Sequence, residues 1–154
     1  AHLSMLPEDG RLDYIVTHKD KLVLVVPKGH RLTHGELDFD KLFQEKFIMI
    51  SEPESPQLYS EIMAVCAAHH AMPKVIHRYD KAESVLLSVG SGLGVSILPM
   101  GLTKAFLPDA VDVIPLDLEG PQIDYICAWP KQSKNPCSKI FLEVIREYFP
   151  HPME

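Results

Sequence analysis

Two short turns carry the residues best suited to hold a small molecule. The first is Ser51-Glu-Pro-Glu-Ser55 and the second is Arg78-Tyr-Asp-Lys81. Ser51 and Ser55 offer hydroxyls, and the free N–H groups of a helix opening at Pro56 would point the same way. Glu52 and Glu54 oppose an anion there and suit a ligand hydroxyl or amine instead. In the second turn Tyr79 gives a ring and a hydroxyl, while Arg78 and Lys81 favour an anion. The bland alternative for each turn is a plain helix-capping loop. Convergence of the two turns on one crevice would favour binding over capping.

Other constellations are weaker. Cys66, His69 and His70 share one helix, and Cys66 with His70 has the spacing of a metal pair. No further ligand is placed by the sequence, so Cys66 reads as a core position. Gly90-Ser-Gly-Leu-Gly94 is glycine-rich, yet it ends a helix and enters a strand, the reverse of a dinucleotide loop. It is not a nucleophile elbow either, because Val89 stands where a glycine is needed. Ser51 with His77 is conceivable as a nucleophile–base pair only because both lie on central strands or at their ends, and no orienting group joins them. No catalytic residue, metal site or cofactor site is assigned.

These turns need elements to position them. Phe47–Ile50, Lys74–Tyr79 and Val95–Leu98 read as strands, with helices from Pro56 to about Ala71 and from Lys81 to Val89 between them. Strands alternating with helices of this length predict a parallel sheet with crossover helices. Ligands in such sheets sit outside the carboxyl ends of the strands. Ser55 is expected to cap the first helix and Pro56 to fill its first position, with Met72-Pro73 ending it. Asp80-Lys-Ala-Glu83 has capping-box spacing. Gly90 and Gly92 stop the second helix.

On the flanks, Leu12–Thr17 and Leu22–Val26 read as strands, the latter buried on both faces. A short helix is expected over Lys41–Gln44 and another over Gly101–Phe106. Val111–Leu116 and Gln122–Trp129 read as further strands. A last helix opens at Asn135-Pro136, with Ile140, Phe141, Val144, Ile145, Tyr148 and Phe149 as its apolar stripe. Residues before Arg11 read as a loop ending in Pro7-Glu-Asp-Gly10. The flanks hold no complete parallel unit, which suggests a second lobe whose first part is missing.

Composition sets outer bounds. The chain has 154 residues, 46% hydrophobic and 23% charged, the balance of a globular domain. No apolar run reaches membrane-span length, so no membrane contact is expected. Net charge is −6, from 15 basic and 21 acidic residues, with no basic run. That argues against direct contact with DNA phosphates. Three cysteines (Cys66, Cys127 and Cys137) fit neither a disulfide frame nor a zinc pattern, and reduced thiols in the cytoplasm are expected. The segment after Ala1 is not a basic region leading into an apolar one, so no secretory leader is read. With no initiating Met, Ala1 is expected to be a processing boundary, and a longer native protein is expected.

Taken together, Leu22-Val-Leu-Val-Val-Pro-Lys-Gly-His-Arg-Leu32, Phe39-Asp-Lys-Leu42 and Phe47-Ile-Met-Ile50 resemble the middle of a LysR-type transcriptional regulator's effector domain. Ser88-Val-Gly-Ser-Gly-Leu-Gly-Val-Ser-Ile-Leu-Pro99 is the most specific match, and Pro136–Phe149 resembles that family's closing helix. The resemblance spans the whole chain. It implies an α/β, two-lobed, type II periplasmic-binding-protein-like fold, with one lobe nearly complete and the other partial. Residues 11–46 and 122–150 would belong to the partial first lobe and 47–121 to the second.

The resemblance further implies a cytoplasmic bacterial regulator, homo-oligomeric, that senses a small co-inducer between its lobes. It would touch DNA only through an N-terminal domain missing from this chain. By the resemblance, the second lobe's ligand wall would be Ser51, Glu52, Ser55, Tyr79, Asp80, Pro99 and Met100. Thr17 would come from the first lobe. A carboxylate-bearing metabolite is the default effector. Two rivals stay open: a solute-binding protein of a transporter, and a small α/β hydrolase or transferase.

Overall fold

A computed structural model describes residues 11–106, 109–119, 123–132, 135 and 137–149. The expected loop before Arg11, Gln122 as a strand start, and Pro136 as the first residue of the last helix lie outside the described residues.

In chain order the elements are β1 (Leu12–Asp20), β2 (Leu22–Pro27), α1 (Phe39–Leu42), β3 (Lys46–Ile50), α2 (Pro56–Ala68) and β4 (Lys74–Tyr79). There follow α3 (Ala82–Gly90), β5 (Ser96–Pro99), α4 (Met100–Phe106), β6 (Val111–Pro115), β7 (Ile123–Pro130) and α5 (Cys137–Tyr148). The chain divides into two compact units. Asp20–Ile123 is one, and the described residues before Asp20 and after Ile123 make the other.

The 20–123 unit is built on β2. Its run Leu22–Val26 is fully enclosed, as a continuous apolar strand must be when covered on both faces. β5 and β6 flank it, both antiparallel, with Leu22 opposite Pro99 and Val23 opposite Pro115. β3 and β4 pair in parallel through the α2 crossover, as the alternation of elements predicts. β3 meets β5 at a single parallel bridge, Phe47 opposite Val95. There the Ile48 N–H donates to the Val95 carbonyl at 2.9 Å, and the Val95 N–H donates to Lys46 at 2.8 Å. The strands therefore run β4-β3-β5-β2-β6, a mixed arrangement rather than an all-parallel one.

Gly94 makes the bridge feasible, because a Cβ built on it would collide with the Lys46 carbonyl. α3 packs on β2, β3, β4 and β5 and buries Val85, Leu86 and Val89. α2 buries Leu58, Ile62, Val65 and Cys66. With Phe47, Ile48, Leu24, Ile97 and Leu98 these form the core. Each large side chain so buried contributes about 1.5–3 kcal/mol.

The sequence-based expectations need five adjustments. β2 was expected with the first lobe (11–46), but it pairs with β5 and β6, and the compact units divide at Lys19/Asp20 and Ile123/Asp124. The short helix begins at Phe39, two residues early, because Asp38 caps it by accepting the Lys41 N–H at 3.2 Å. α2 ends at Ala68 rather than near Ala71. His70 turns left-handed there (φ 52°), in the place glycine usually takes, and the Ala71 N–H closes on Cys66 at 3.0 Å. Ser55 stands at the head of α2 but makes no side-chain capping bond. The Asp80–Glu83 capping box does not form either: α3 starts from Lys81, and Asp80 bonds elsewhere.

In the second unit β1 pairs with β7. Asn135 starts α5 as expected, accepting the Cys137 N–H at 3.0 Å. The apolar stripe of α5 is open: Ile140 is 65% exposed and Tyr148 75%, and no described residue of this helix is buried.

Candidate functional site

The register places five strand ends on one edge of the 20–123 unit. β3 and β4 run in parallel, so Ser51 and Asp80 follow their carboxyl ends together. The parallel bridge to β5 brings Pro99 and Met100 to the same edge. Antiparallel pairing adds the start of β2, at Lys21-Leu22, and the end of β6, at Pro115. Both α2 and α3 begin here, and each leaves first-turn N–H groups without a partner within the helix.

At the β3–β4 side the two turns converge. The Ser51 N–H donates to the Tyr79 carbonyl at 2.9 Å, and Ser51 Oγ donates to Asp80 Oδ1 at 2.6 Å. The hydroxyl is thus held in one orientation, its lone pairs free to accept, beside a carboxylate open to solvent. Glu52 is exposed in the turn. Ser55 is buried, and its Oγ has no hydrogen-bond partner. Tyr79 is half-buried, its ring 6.1 Å from that of His77. Ser51 is therefore engaged by Asp80, not by the imidazole of His77.

At the β5–β2–β6 side Pro99 is buried and Met100 half-buried. The Met100 N–H donates to the Lys21 carbonyl at 2.9 Å. Next to it lies Asp20, a carboxylate only 6% exposed that sequence reasoning did not single out. Its Oδ1 accepts the Lys21 N–H and its Oδ2 the Gly101 N–H, both at 2.8 Å. The available signal was an acidic residue at the break between two apolar strands, where a backbone donor in need of a partner is common. A cavity of about 170 Å³ opens beside these bonds, lined by Lys21, Leu22, Met100, Leu116, Asp117 and Leu118. Met100 is the one residue it shares with the expected ligand wall.

Thr17 belongs to the other unit. Its hydroxyl donates to the Tyr125 carbonyl at 3.1 Å across the β1–β7 pair. The Cys66–His70 pairing has no support: Cys66 is enclosed, His70 is exposed, and His69 stacks on Phe39 with ring centres 3.6 Å apart. Burial pushes the Cys66 thiol up to about 11. Among the described residues no three His, Cys, Asp or Glu side chains gather as a metal would need. No helix among them is long and apolar enough to cross a membrane.

The mixed α/β architecture matches that of LysR effector-binding domains, which have the type II periplasmic-binding-protein-like fold. The chain belongs to the LysR substrate-binding-domain family, whose profile matches residues 2–150. It is 25% identical over 138 residues to the uncharacterized HTH-type transcriptional regulator YnfL of Escherichia coli K12, covering 88% of this chain and 46% of that protein. It is 26% identical over 137 residues to the Hca operon transcriptional activator HcaR of the same organism, again covering 88% and 46%. The chain thus spans about half the length of the curated relatives it matches. Among solved structures, the effector binding domain of QuiR in complex with shikimate superimposes with a TM-score of 0.76 at 22% identity, covering 94% of this chain and 68% of that one.

Proposed function

We propose that this chain is the effector-sensing part of a cytoplasmic bacterial LysR-type transcriptional regulator, with no catalytic role. A small co-inducer is held at the strand-end edge by Ser51, Glu52, Ser55, Tyr79, Asp80, Pro99 and Met100. DNA contact belongs to a separate N-terminal domain, and the regulator works as a homo-oligomer. The observation that carries the site is the 2.6 Å bond joining Ser51 to Asp80. It ties together turns from two different βα units where helix N-termini gather, the edge at which ligands of α/β sheets sit.

Effector binding changes the relative arrangement of the lobes, and through it the disposition of the DNA-binding heads. It can do so only by binding one arrangement more tightly than the other. The shikimate bound to QuiR makes a hydroxylated carboxylate the first compound to try. The hydroxyls of such a ligand can donate to the Ser51 lone pairs and the Asp80 carboxylate, while its own carboxylate suits the free first-turn N–H groups of the helices.

The test is transcription from a target promoter by the full-length regulator, titrated with hydroxylated carboxylates beginning with shikimate. Ser51→Ala and Asp80→Asn should weaken the response and leave effector-free DNA affinity unchanged. A response untouched by either substitution removes the site assignment. DNA binding and bending indifferent to every effector tried removes the sensing reading.

A further inference from the structure

The backbone passes between the two compact units at Lys19/Asp20 and again at Ile123/Asp124. The first crossing is stitched to α4. The Met100 N–H donates to the Lys21 carbonyl at 2.9 Å. One oxygen of Asp20 accepts the Gly101 N–H and the other the Lys21 N–H, both at 2.8 Å. Two of these bonds run from the crossing to the start of α4. The third is local and fixes the carboxylate in the orientation the Gly101 bond needs. Farther along the turn, Thr103 Oγ1 donates to the Pro99 carbonyl at 3.0 Å in a buried place, so α4 is also held to the end of β5.

A carboxylate only 6% exposed is uncommon, and here its bonds account for it. Gly101 lies in the first turn of α4, where the N–H has no partner within the helix. A charged acceptor makes a bond about twice as strong as a neutral one. Beside this joint the packing is open. The cavity of about 170 Å³ is lined by Lys21, Leu22 and Met100, and by Leu116, Asp117 and Leu118 on the way to the second crossing. Met100 therefore has room to move.

We infer that Asp20 is a positioning residue: its carboxylate carries a displacement of Met100 into the backbone at the Lys19/Asp20 crossing. One bond between two bodies lets them swivel, and two bonds fix their orientation. The Met100–Lys21 bond alone is a pivot. The Asp20–Gly101 bond turns it into a rigid joint, so the start of α4 and the crossing move together. Met100 stands in the expected effector wall, so the purpose of the joint rests on the sensing reading, while its geometry does not.

Distances between spin labels in the full chain test it by double electron–electron resonance. One label sits on Cys137, exposed on α5, and the other on Ala64→Cys, exposed on α2. Cys127→Ser keeps labelling to these positions, because Cys66 is enclosed. With Asp20 intact a single distance population is expected. Asp20→Asn keeps the size but gives up one acceptor oxygen, and should add a second population. Asp38→Ala removes a helix cap of comparable worth away from the crossing and should add none, which separates positioning from loss of stability. Met100→Trp crowds the cavity and should shift the mean distance, and Asp20→Asn should abolish most of that shift. The inference is overturned if Asp20→Asn leaves the distances unchanged, or if Asp38→Ala alters them equally. It is also overturned if Met100→Trp gives no shift, or the same shift in both backgrounds. The measurement needs no effector, so a regulator deaf to every co-inducer would remove the sensing reading and leave this result standing.

Discussion

Asp20 and Gly101 lie 81 residues apart in the chain, yet a carboxylate oxygen of one accepts the amide of the other at 2.8 Å. The bond fastens the entry to β2 onto the first turn of α4. It stands just inside the boundary between the two compact units.

Asp20→Ala should therefore cost about 2–3 kcal/mol, because two backbone N–H groups lose their acceptor in a largely enclosed place. Asp20→Asn keeps one carbonyl oxygen and should cost about half as much. Urea unfolding of both variants checks the order. Equal stability of wild type and Asp20→Ala would contradict the clamp.

Gly94 passes against the Lys46 carbonyl where β3 and β5 touch. Adding a methyl there forces the two backbones apart at their one bridge. Gly94→Ala should lower stability by about 2–3 kcal/mol. In the same variant, amide exchange at Ile48 and Val95 should quicken far more than at Leu24, deep in β2.

Ser55 reverses a common expectation. An N-cap serine usually stabilises its helix by about 1 kcal/mol. Here the hydroxyl is buried and bonds nothing. Ser55→Ala should raise the melting temperature, with a gain of about 0.5–1 kcal/mol, since alanine removes an unsatisfied polar group. A loss of stability would mean that the hydroxyl caps α2 in solution.

Cys66 titrates from about 9.0 when free to about 11 in the fold, because burial disfavours its thiolate. The folded state thus holds the proton more tightly. Its contribution to stability is whole below pH 9 and is lost as pH rises towards 11. Thiol alkylation followed by mass spectrometry should label exposed Cys137 first and Cys66 only on unfolding. Equal labelling rates in the native state would contradict the enclosure.

Much of this fold is legible in single residues. Ser55-Pro56 marks the start of α2, Gly90 and Gly92 mark the end of α3, and the apolar run from Leu22 announces a strand covered on both faces. What the run cannot announce is which strands it pairs with. The partners of β2 are β5 and β6, far along the chain, so β2 could be credited to the wrong unit. Side-chain bonds are hidden for the same reason. Asp80 has a helix amide close in sequence and Ser51 at 29 residues' remove, and the folded geometry chooses Ser51. The two turns of the candidate site were readable as loops after strands. That Lys21, Met100 and Asp117 share a cavity follows only from antiparallel register, which carries no local signature.

The open stripe of α5 has a practical side. Ile140, Phe141, Val144 and Tyr148 present oily surface to water along one helix. Dyes that fluoresce on apolar contact should light up on the native chain at room temperature, and hydrophobic-interaction resin should retain it at moderate salt. Dye-based melting scans then start from a bright baseline that conceals small ligand-induced shifts. Circular dichroism, which ignores greasy surface, will report such shifts faithfully.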